Sequence, residues 1–242
     1  MLKRILTIIY PRRCVLCRSA VTPAQTAERD LCHACEKDLS LVQQACFQCG
    51  IALTGTHEKQ LCGQCLQTKP FYDQVISIYH YQNPMIWLIQ QMKFHNKILY
   101  AHLLAQLMTK HLIERQRKHQ LPLPDVIIPV PLHYQRRFHR GFNQAEELSK
   151  HIAKHLNCPL DTRFVQRPVN SAQQSGLDAK LRKKNVKGIF SLSRAQQKRY
   201  QHVAIVDDVM STGSTVNEVA RLLKKNGIKK VDVWVLARAS RD

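Results

Sequence analysis

The sequence has no apolar run long enough to cross a lipid bilayer, which needs about 20 consecutive apolar residues. Near its start, the apolar stretch at residues 5–10 is shorter than the core of a secretory signal peptide, and no small-residue cleavage site follows it. We therefore expect a short N-terminal helix that packs on the fold, no transmembrane segment, and a cytoplasmic location.

Acidic and aromatic residues are both scarce. The chain has 17 Asp and Glu against 37 Lys and Arg, which gives a net charge of +20 and a pI of about 9.9. A cation of this size attracts polyanions, so the charge predicts contact with nucleic acid or an anionic membrane surface. The alternative is a solvated basic face that suits a phosphate-rich small ligand. Aromatic residues make up only 7% of the chain, which argues against a long platform for stacking bases.

Cysteine is abundant instead, and its placement is regular. Eight of the nine cysteines form four Cys-x-x-Cys pairs within residues 14–65. The ninth, Cys158, stands alone and is predicted to be a small buried side chain. Because the cytosol is reducing, metal binding is a better use of the four pairs than disulfide formation.

Two Cys-x-x-Cys turns can complete a tetrahedron of thiolates around one zinc ion. Four thiolates leave no open coordination position, so such a site is structural, and in a small module the metal supplies much of the folding free energy. The pattern predicts one or two filled sites. An iron–sulfur cluster fits the spacing less well, and no βαβ pattern surrounds the pairs to support a redox role. The predicted zinc ligands are Cys14, Cys17, Cys32, Cys35, Cys46, Cys49, Cys62 and Cys65.

The sequence pattern changes after about residue 70, which predicts a zinc-ribbon module at residues 1–70 and a second domain at residues 71–242. In the second domain, Asn83 is predicted to cap a helix that has Pro84 at its first position, and Asn143 to open another helix. Alternation of strands with helices predicts an α/β fold whose parallel sheet is covered on both faces. The predicted strands lie at residues 75–81, 125–130, 203–206 and 231–236, and the predicted helices at residues 84–92, 99–119, 143–156 and 214–226.

We place the chemistry in residues 203–215. A buried strand is predicted to end at Asp207 and Asp208, and a loop with hydroxyl side chains and Gly213 then leads into a helix N-terminus. Ligands of open parallel sheets bind at the carboxyl ends of strands, and a helix N-terminus offers N–H groups to a phosphate. Two carboxylates beside a phosphate are explained if ribose hydroxyls and a magnesium ion lie between them. Receiver domains also use paired aspartates as a phosphorylation site, but those aspartates lie near the N-terminus of the domain. Here the pair lies late in the sequence, which disfavours a receiver domain.

This arrangement resembles the motif with which type I phosphoribosyltransferases bind 5-phosphoribosyl 1-pyrophosphate (PRPP). The resemblance implies the type I phosphoribosyltransferase fold, in which Asp207 and Asp208 would carry the chemistry by contacting the ribose hydroxyls beside Mg²⁺. Within residues 126–149, the Pro-Val-Pro after the strand, at residues 129–131, resembles the pyrophosphate loop of the amidophosphoribosyltransferase-like branch, and residues 167–190 resemble the mobile loop that closes over PRPP. The implied phosphate contacts are Ser211, Thr212, Gly213, Ser214 and Thr215. The implied pyrophosphate contacts are Val130, Pro131, Leu132, His133, Arg136 and Arg137.

The combination of motifs is more specific than the fold. Paired zinc ribbons, Lys93-Phe94, the run Arg-Arg-Phe-His-Arg-Gly-Phe-Asn-Gln at residues 136–144 and the segment at residues 206–215 together resemble the ComF family of competence proteins. Two positions depart from the family pattern. The family usually has Gly two residues after the Lys-Phe pair, where this chain has His95-Asn96, and Met210-Ser211 begins the loop where Thr-Thr is common.

The ComF resemblance implies a role in natural transformation. Such a protein would handle incoming single-stranded DNA in the cytosol, with helicase or recombination-mediator partners. Candidate DNA contacts are Arg140, Lys183, Lys184 and Lys187. Two alternatives are a true phosphoribosyltransferase that acts on a small amine or base, and a PRPP-sensing adapter without catalysis. The sequence reveals no nucleobase pocket and no obvious general base.

Overall fold

The centre of the fold is a four-stranded parallel β-sheet. The computed structural model describes residues 12–21, 29–54, 60–94, 98–132, 141–168, 188–193 and 200–240. The strands are β1 (Gln74–His80), β2 (Val126–Pro129), β3 (Val165–Gln166), β4 (Ser191–Leu192), β5 (His202–Met210) and β6 (Lys230–Arg238). The main sheet has the order β1-β6-β5-β2, and each of its neighbouring pairs is parallel. Strands β3 and β4 form a separate antiparallel pair. The predicted parallel sheet is confirmed.

The cysteine-rich module packs on the outer edge of this sheet. Its short helices are α1 (His33–Lys37) and α2 (Gly63–Gln67), and each begins immediately after a cysteine. Between the two helices the chain runs beside β1, where the backbone N–H of Val42 donates to Ile78 O at 2.9 Å. The module is therefore joined to the sheet by backbone hydrogen bonds and not only by the connecting chain.

Helices cover both faces of the sheet, as predicted. The helices of the larger domain are α3 (Met85–Phe94), α4 (Ile98–His119), α5 (Gln144–Leu156) and α6 (Ser214–Lys225). Helices α3, α4 and α5 pack on the face that contains Ala204 and Val206 of β5. Helix α6 packs on the opposite face, which contains Val203 and Ile205. Successive side chains of a strand point to opposite faces, so β5 must be apolar at consecutive positions to be buried on both.

The ends of the helices follow from local capping chemistry. Asn143 caps α5 as predicted, because its Oδ1 accepts from Ala145 N at 3.2 Å. The prediction placed the start of α3 at Pro84. In the structure residues 83 and 84 form a turn, and the helix begins at Met85. Of the helices that the structure describes, none is both long and apolar enough to cross a membrane.

Strand β5 is longer than the sequence predicts. The prediction ends the strand at the acidic residues, but β5 continues through Asp207 and Asp208 to Met210. The reason is its neighbour β6, which reaches Arg238 and pairs with β5 as far as Met210. Both acidic side chains therefore project from a paired strand, whose hydrogen bonds restrict their backbone.

Candidate functional site

Each half of the cysteine-rich module brings four thiols together. In each group the four sulfur atoms lie within 4.8 Å of one another. The sulfur atoms of Cys17 and Cys32 are 3.7 Å apart, and those of Cys49 and Cys62 are 3.6 Å apart. Zinc binds thiolates at about 2.3 Å, so sulfurs at the corners of a zinc tetrahedron lie about 3.8 Å apart. The spacing thus fits zinc. We call Cys14, Cys17, Cys32 and Cys35 the first zinc group, and Cys46, Cys49, Cys62 and Cys65 the second zinc group.

Within each group the thiols differ in pKa. Hydrogen bonds from Ser19 lower the pKa of Cys17 to about 6. Burial opposes ionisation of Cys62, but the backbone N–H of Cys65 and the neighbouring thiols outweigh it and lower the pKa of Cys62 to about 7. Burial, followed by the effect of neighbouring thiols, raises the pKa of Cys35 and Cys65. A divalent cation supplies the charge that allows all four thiols of a group to ionise together.

The acidic pair, Asp207 and Asp208, lies beside a lysine from the end of α3. Lys93 Nζ is 2.6 Å from Asp208 Oδ2. Asp208 N donates to Asp207 Oδ1 at 2.9 Å, and Val209 N donates to Asp208 Oδ1 at 2.8 Å. Burial, and then the Asp208 carboxylate, raise the pKa of Asp207 to about 8, while Lys93 acts in the opposite direction. At neutral pH the pair therefore carries about one negative charge, which limits its repulsion of an approaching phosphate.

The phosphate loop, residues 211–215, leads from β5 into α6. Gly213 has φ of +78°, in the left-handed region, and an added Cβ would lie 2.5 Å from Met210 Cε. Next to it, Thr212 Oγ1 and Ser214 Oγ are 2.9 Å apart. The hydroxyl groups thus converge with the N–H groups of the first turn of α6 at the positive end of its dipole. This is an arrangement that binds phosphate.

The chain after β2 lies beside the acidic pair. Strand β2 pairs with β5 so that Pro129 lies opposite Val206, which places Val130 level with Asp207. Val130 N donates to Val206 O at 2.9 Å, and Val130 O accepts from Asn143 Nδ2 at 3.1 Å. The start of the predicted pyrophosphate loop is therefore held at the same end of the sheet as the phosphate loop. Its described residues are Val130, Pro131 and Leu132.

Several predicted side chains lie outside the described residues. They are the pyrophosphate candidates His133, Arg136 and Arg137 and the DNA candidates Arg140, Lys183, Lys184 and Lys187. The predicted N-terminal helix and most of the predicted mobile loop lie there as well. At the end of that loop, Gly188 N donates to Glu218 Oε1 at 2.7 Å, which anchors the described part to α6.

Two further side chains belong to the site. The sequence includes Lys93 in a Lys-Phe pair without predicting its partner, and only the structure places it on Asp208. Arg238 is missed entirely. It lies two residues beyond the predicted end of the last strand, and it donates to Met210 O, just before the phosphate loop, at 2.8 Å. The available signal for Arg238 was a single basic residue after a mostly apolar strand.

Comparisons with known proteins agree with this description of the chain. The family model of the double zinc ribbon domain matches residues 5–66, and that of the phosphoribosyl transferase domain matches residues 142–242. Competence protein F of Haemophilus influenzae is 40% identical over 228 residues, which are 94% of this chain and 97% of that protein. The chain belongs to the ComF family of competence proteins.

This ComF-family chain is also 38% identical over 231 residues to the DNA utilization protein YhgH of Escherichia coli K12, which covers 96% of this chain and 99% of that protein. Among solved structures, a purine phosphoribosyltransferase from Pyrococcus horikoshii overlaps 56% of this chain and 73% of its own, with a TM-score of 0.36 and 22% identity. The fold is that of a phosphoribosyltransferase domain behind a double zinc ribbon with two groups of four cysteines. Lys93 and Val130 lie between the two matched ranges.

Proposed function

We propose that this ComF-family chain binds PRPP with Mg²⁺ between the acidic pair and the phosphate loop, and that it acts in DNA uptake or utilization in the cytoplasm. The observation that carries the proposal is the meeting of the acidic pair with the N-terminus of α6 at the carboxyl end of the sheet. Carboxylates accept hydrogen bonds from hydroxyl groups, whereas the helix N-terminus binds a phosphate. PRPP carries both kinds of group on one ribose.

Each part of PRPP has a distinct partner in this proposal. The 5′-phosphate takes the N–H and hydroxyl groups of the phosphate loop, and the ribose hydroxyls donate to Asp207 and Asp208. The pyrophosphate faces Val130, Pro131 and Leu132, with His133, Arg136 and Arg137 as further donors. Mg²⁺ prefers oxygen ligands and supplies positive charge beside the pyrophosphate. The carboxylates of the acidic pair suit that preference.

Lys93 has a specific part in this scheme. Its ammonium group neutralises Asp208 in the free protein, at a distance of 2.6 Å. Mg²⁺ held by the acidic pair would supply positive charge there in place of Lys93. The ammonium group of Lys93 then has an oxygen of the pyrophosphate as an alternative partner. The exchange keeps the charge of the site nearly balanced in both states.

Single-stranded DNA is the proposed second ligand. The net charge of +20 exceeds what one small phosphorylated ligand requires, and Lys and Arg that contact phosphates provide affinity without sequence preference. The relatives named above are a competence protein and a DNA utilization protein, which supports a nucleic-acid role. We assign the contacts to Arg140, Lys183, Lys184 and Lys187. Helicase or recombination-mediator proteins are the expected protein partners.

A second candidate function is transfer of the phosphoribosyl group to a small amine or base. It is favoured by the complete acidic pair, in which the raised pKa of Asp207, about 8, is close to the range useful for proton transfer. In this reaction the bond from C1 to the pyrophosphate oxygen breaks, pyrophosphate leaves, a bond from C1 to the acceptor nitrogen forms, and that nitrogen gives its proton to the ionised carboxylate of Asp207. An adapter that senses PRPP would bind it without this step.

Isothermal titration of the zinc-loaded protein with PRPP and Mg²⁺ tests the proposal. We expect one PRPP to bind per chain and Asp207→Ala to abolish detectable binding. Asp38→Asn is the matched control, because it also removes an acidic side chain but does so at the end of α1. Full affinity in Asp207→Ala, or the same loss in both variants, would contradict the site.

A parallel measurement of fluorescence anisotropy tests binding of a labelled single-stranded oligonucleotide. We expect affinity to fall steeply with salt, because each phosphate contact releases counterions. Release of pyrophosphate in the presence of amines or bases would identify the enzymatic alternative. No binding of the oligonucleotide even at low salt would remove DNA as a ligand while leaving the PRPP site intact.

A further inference from the structure

One buried guanidinium group connects the second zinc group to the phosphate loop. Arg238, the last residue of β6, is only 2% exposed. Its Nε donates to Cys49 O at 3.0 Å, and its Nη1 donates to Met210 O at 2.8 Å. The same Nη1 also donates to Ser211 O, and to Ala239 O at 2.9 Å. A zinc knuckle, the end of β5 and the end of β6 therefore meet at one side chain.

These hydrogen bonds fix the direction of two peptide planes at the start of the phosphate loop. A trans peptide is planar, and its carbonyl and N–H groups point in opposite directions. The carbonyl groups of Met210 and Ser211 are turned toward Arg238. The N–H groups of Ser211 and Thr212, which share those peptide planes, are consequently turned away from it. Because these N–H groups are donors that the loop offers to an anion, Arg238 sets their orientation.

The Cys49 carbonyl is held in turn by the second zinc group. Cys49 contributes its thiol to that group, and Gly50 N donates to Cys46 O at 2.8 Å within the same knuckle. Gly50 has φ of +68°, and an added Cβ would lie 2.6 Å from Val75 Cγ1. The knuckle is therefore seated directly against β1. Loss of the metal would release the Cys49 backbone and weaken one hydrogen bond to a buried cation.

The first zinc group reaches the larger domain by a different route. Glu36, on the short helix that follows Cys32, accepts from Lys110 Nζ of α4 at 3.0 Å. Lys110 is 43% exposed and Glu36 is 13% exposed, so this ion pair is open to solvent on its lysine side, whereas the Arg238 contacts are buried. The two zinc groups should therefore differ in their influence on the phosphate loop, although each consists of four cysteines.

We propose that Arg238 is a positioning residue that couples zinc binding at the second zinc group to phosphate binding at the phosphate loop. This inference rests on the proposed PRPP function. A guanidinium group is always charged, and burying it without acceptors is strongly unfavourable. The knuckle and the loop consequently adopt together the conformations in which their carbonyl groups accept hydrogen bonds from Arg238. Because coupling between binding sites is reciprocal, bound PRPP raises the affinity of the second zinc group for zinc more than that of the first.

The test compares cysteine variants of the two zinc groups. Cys62→Ser removes a ligand of the second zinc group without altering the residue whose carbonyl meets Arg238, and Cys17→Ser removes a ligand of the first. Each variant should lose one zinc ion per chain. We expect Cys62→Ser to raise the dissociation constant for PRPP about tenfold or more, which is within the range of typical coupling between sites. The rise in Cys17→Ser should be smaller than the rise in Cys62→Ser by a factor of about three or more. Equal weakening by both variants would overturn the inference.

Substitution of the arginine itself separates positioning from general stability. Arg238→Lys keeps the charge and one donor group, and it should retain both zinc ions while weakening PRPP binding by about fivefold, within the range of typical coupling energies. Arg29→Lys is the control. Arg29 is also largely buried, but it lies in the zinc module, where it pairs with Glu36 at 2.9 Å. Wild-type affinity in Arg238→Lys, or an equal loss in Arg29→Lys, would count against a positioning role.

Hydrogen exchange of the backbone amides at residues 207–216 gives a readout that does not need PRPP. We expect faster exchange there in Cys62→Ser than in Cys17→Ser. If the wild-type protein binds no PRPP, the proposed function fails, and the exchange measurement still decides whether the second zinc group controls the loop. Unchanged exchange in Cys62→Ser would refute the coupling whatever the result with PRPP.

Discussion

Lys93 Nζ lies 2.6 Å from Asp208 Oδ2, so a lysine at the end of α3 neutralises one of the two carboxylates at the end of the sheet. The side chains of Lys93 and Asp208 are 21% and 11% exposed. An ion pair shielded to this degree is screened less by water and salt than a pair on the surface. The negative charge of the acidic pair is therefore partly balanced by a residue of the helix that follows β1, far away in the sequence.

Removal of this lysine should weaken PRPP binding. In Lys93→Ala the acidic pair loses its counter-charge, and we expect the dissociation constant for PRPP with Mg²⁺ to rise about tenfold, which equals about 1.4 kcal/mol. Lys93→Arg should retain most of the affinity because it keeps the charge. Titration calorimetry at constant ionic strength measures both. Lys110→Ala, which removes a surface lysine paired with Glu36, is the control and should bind PRPP within about twofold of wild type.

PRPP binding should strengthen as pH rises toward about 8. The pKa of Asp207 is raised to about 8 in the free protein, and a carboxylate that accepts from ribose hydroxyls must be ionised. Binding therefore releases a proton below that pKa. We expect the dissociation constant to fall about fivefold from pH 7 to pH 8 and less than about twofold from pH 8 to pH 9.

The phosphates of PRPP contribute little to this change, because a phosphate has its second pKa near 6. Titrations in buffers of different ionisation enthalpy count the released proton directly. Asp207→Asn should lose the pH dependence. An affinity that is flat between pH 7 and pH 8 in the wild-type protein would show that Asp207 is already ionised before PRPP binds.

The zinc content should be two ions per chain, one for each group of four cysteines. Elemental analysis of the purified protein measures it. Removal of zinc by a chelator should lower the melting temperature and unfold the cysteine-rich module, because a module this small depends on the metal for its folding. Iron with visible absorption would identify a cluster instead. A value of one zinc ion would mean that only one group is filled.

Gly213→Ala should abolish PRPP binding while the protein still folds. The φ of +78° makes a side chain unfavourable by about 1–2 kcal/mol, and the new Cβ would press on the buried Met210 side chain. Relief of this strain would move the phosphate loop. Gly227→Ala is the control, because its φ is +89° but an added Cβ would meet nothing within 4 Å. The expected result in thermal unfolding and calorimetry is that Gly213→Ala is destabilised somewhat more than Gly227→Ala, and that PRPP binding is lost only in Gly213→Ala.

The sequence was sufficient for features that depend on neighbouring residues. The Cys-x-x-Cys pairs of each zinc group are separated by 14 and 12 residues, so the local turns and a short connection bring the thiols together. The N-cap at Asn143 is equally local, because its side chain accepts from the backbone two residues later. The alternating strands and helices follow from hydrophobic periodicity, which decides which faces are buried. These features were predicted correctly.

The tertiary structure decided the partners of the charged side chains. Arg238 meets a cysteine 189 residues earlier in the chain, and Lys93 of α3 meets Asp208 of β5, a strand that lies far from α3 in the sequence. No local pattern specifies these contacts, because they depend on the order β1-β6-β5-β2, which places the last strand between the first strand and the acidic strand. The same pairing with β6 extends β5 through the acidic pair to Met210. The sequence by itself determined which groups the protein carries at the proposed phosphate site and at the two groups of four cysteines. Only the strand order decided that one buried arginine would connect them, because a parallel sheet brings distant segments together at the ends of its strands.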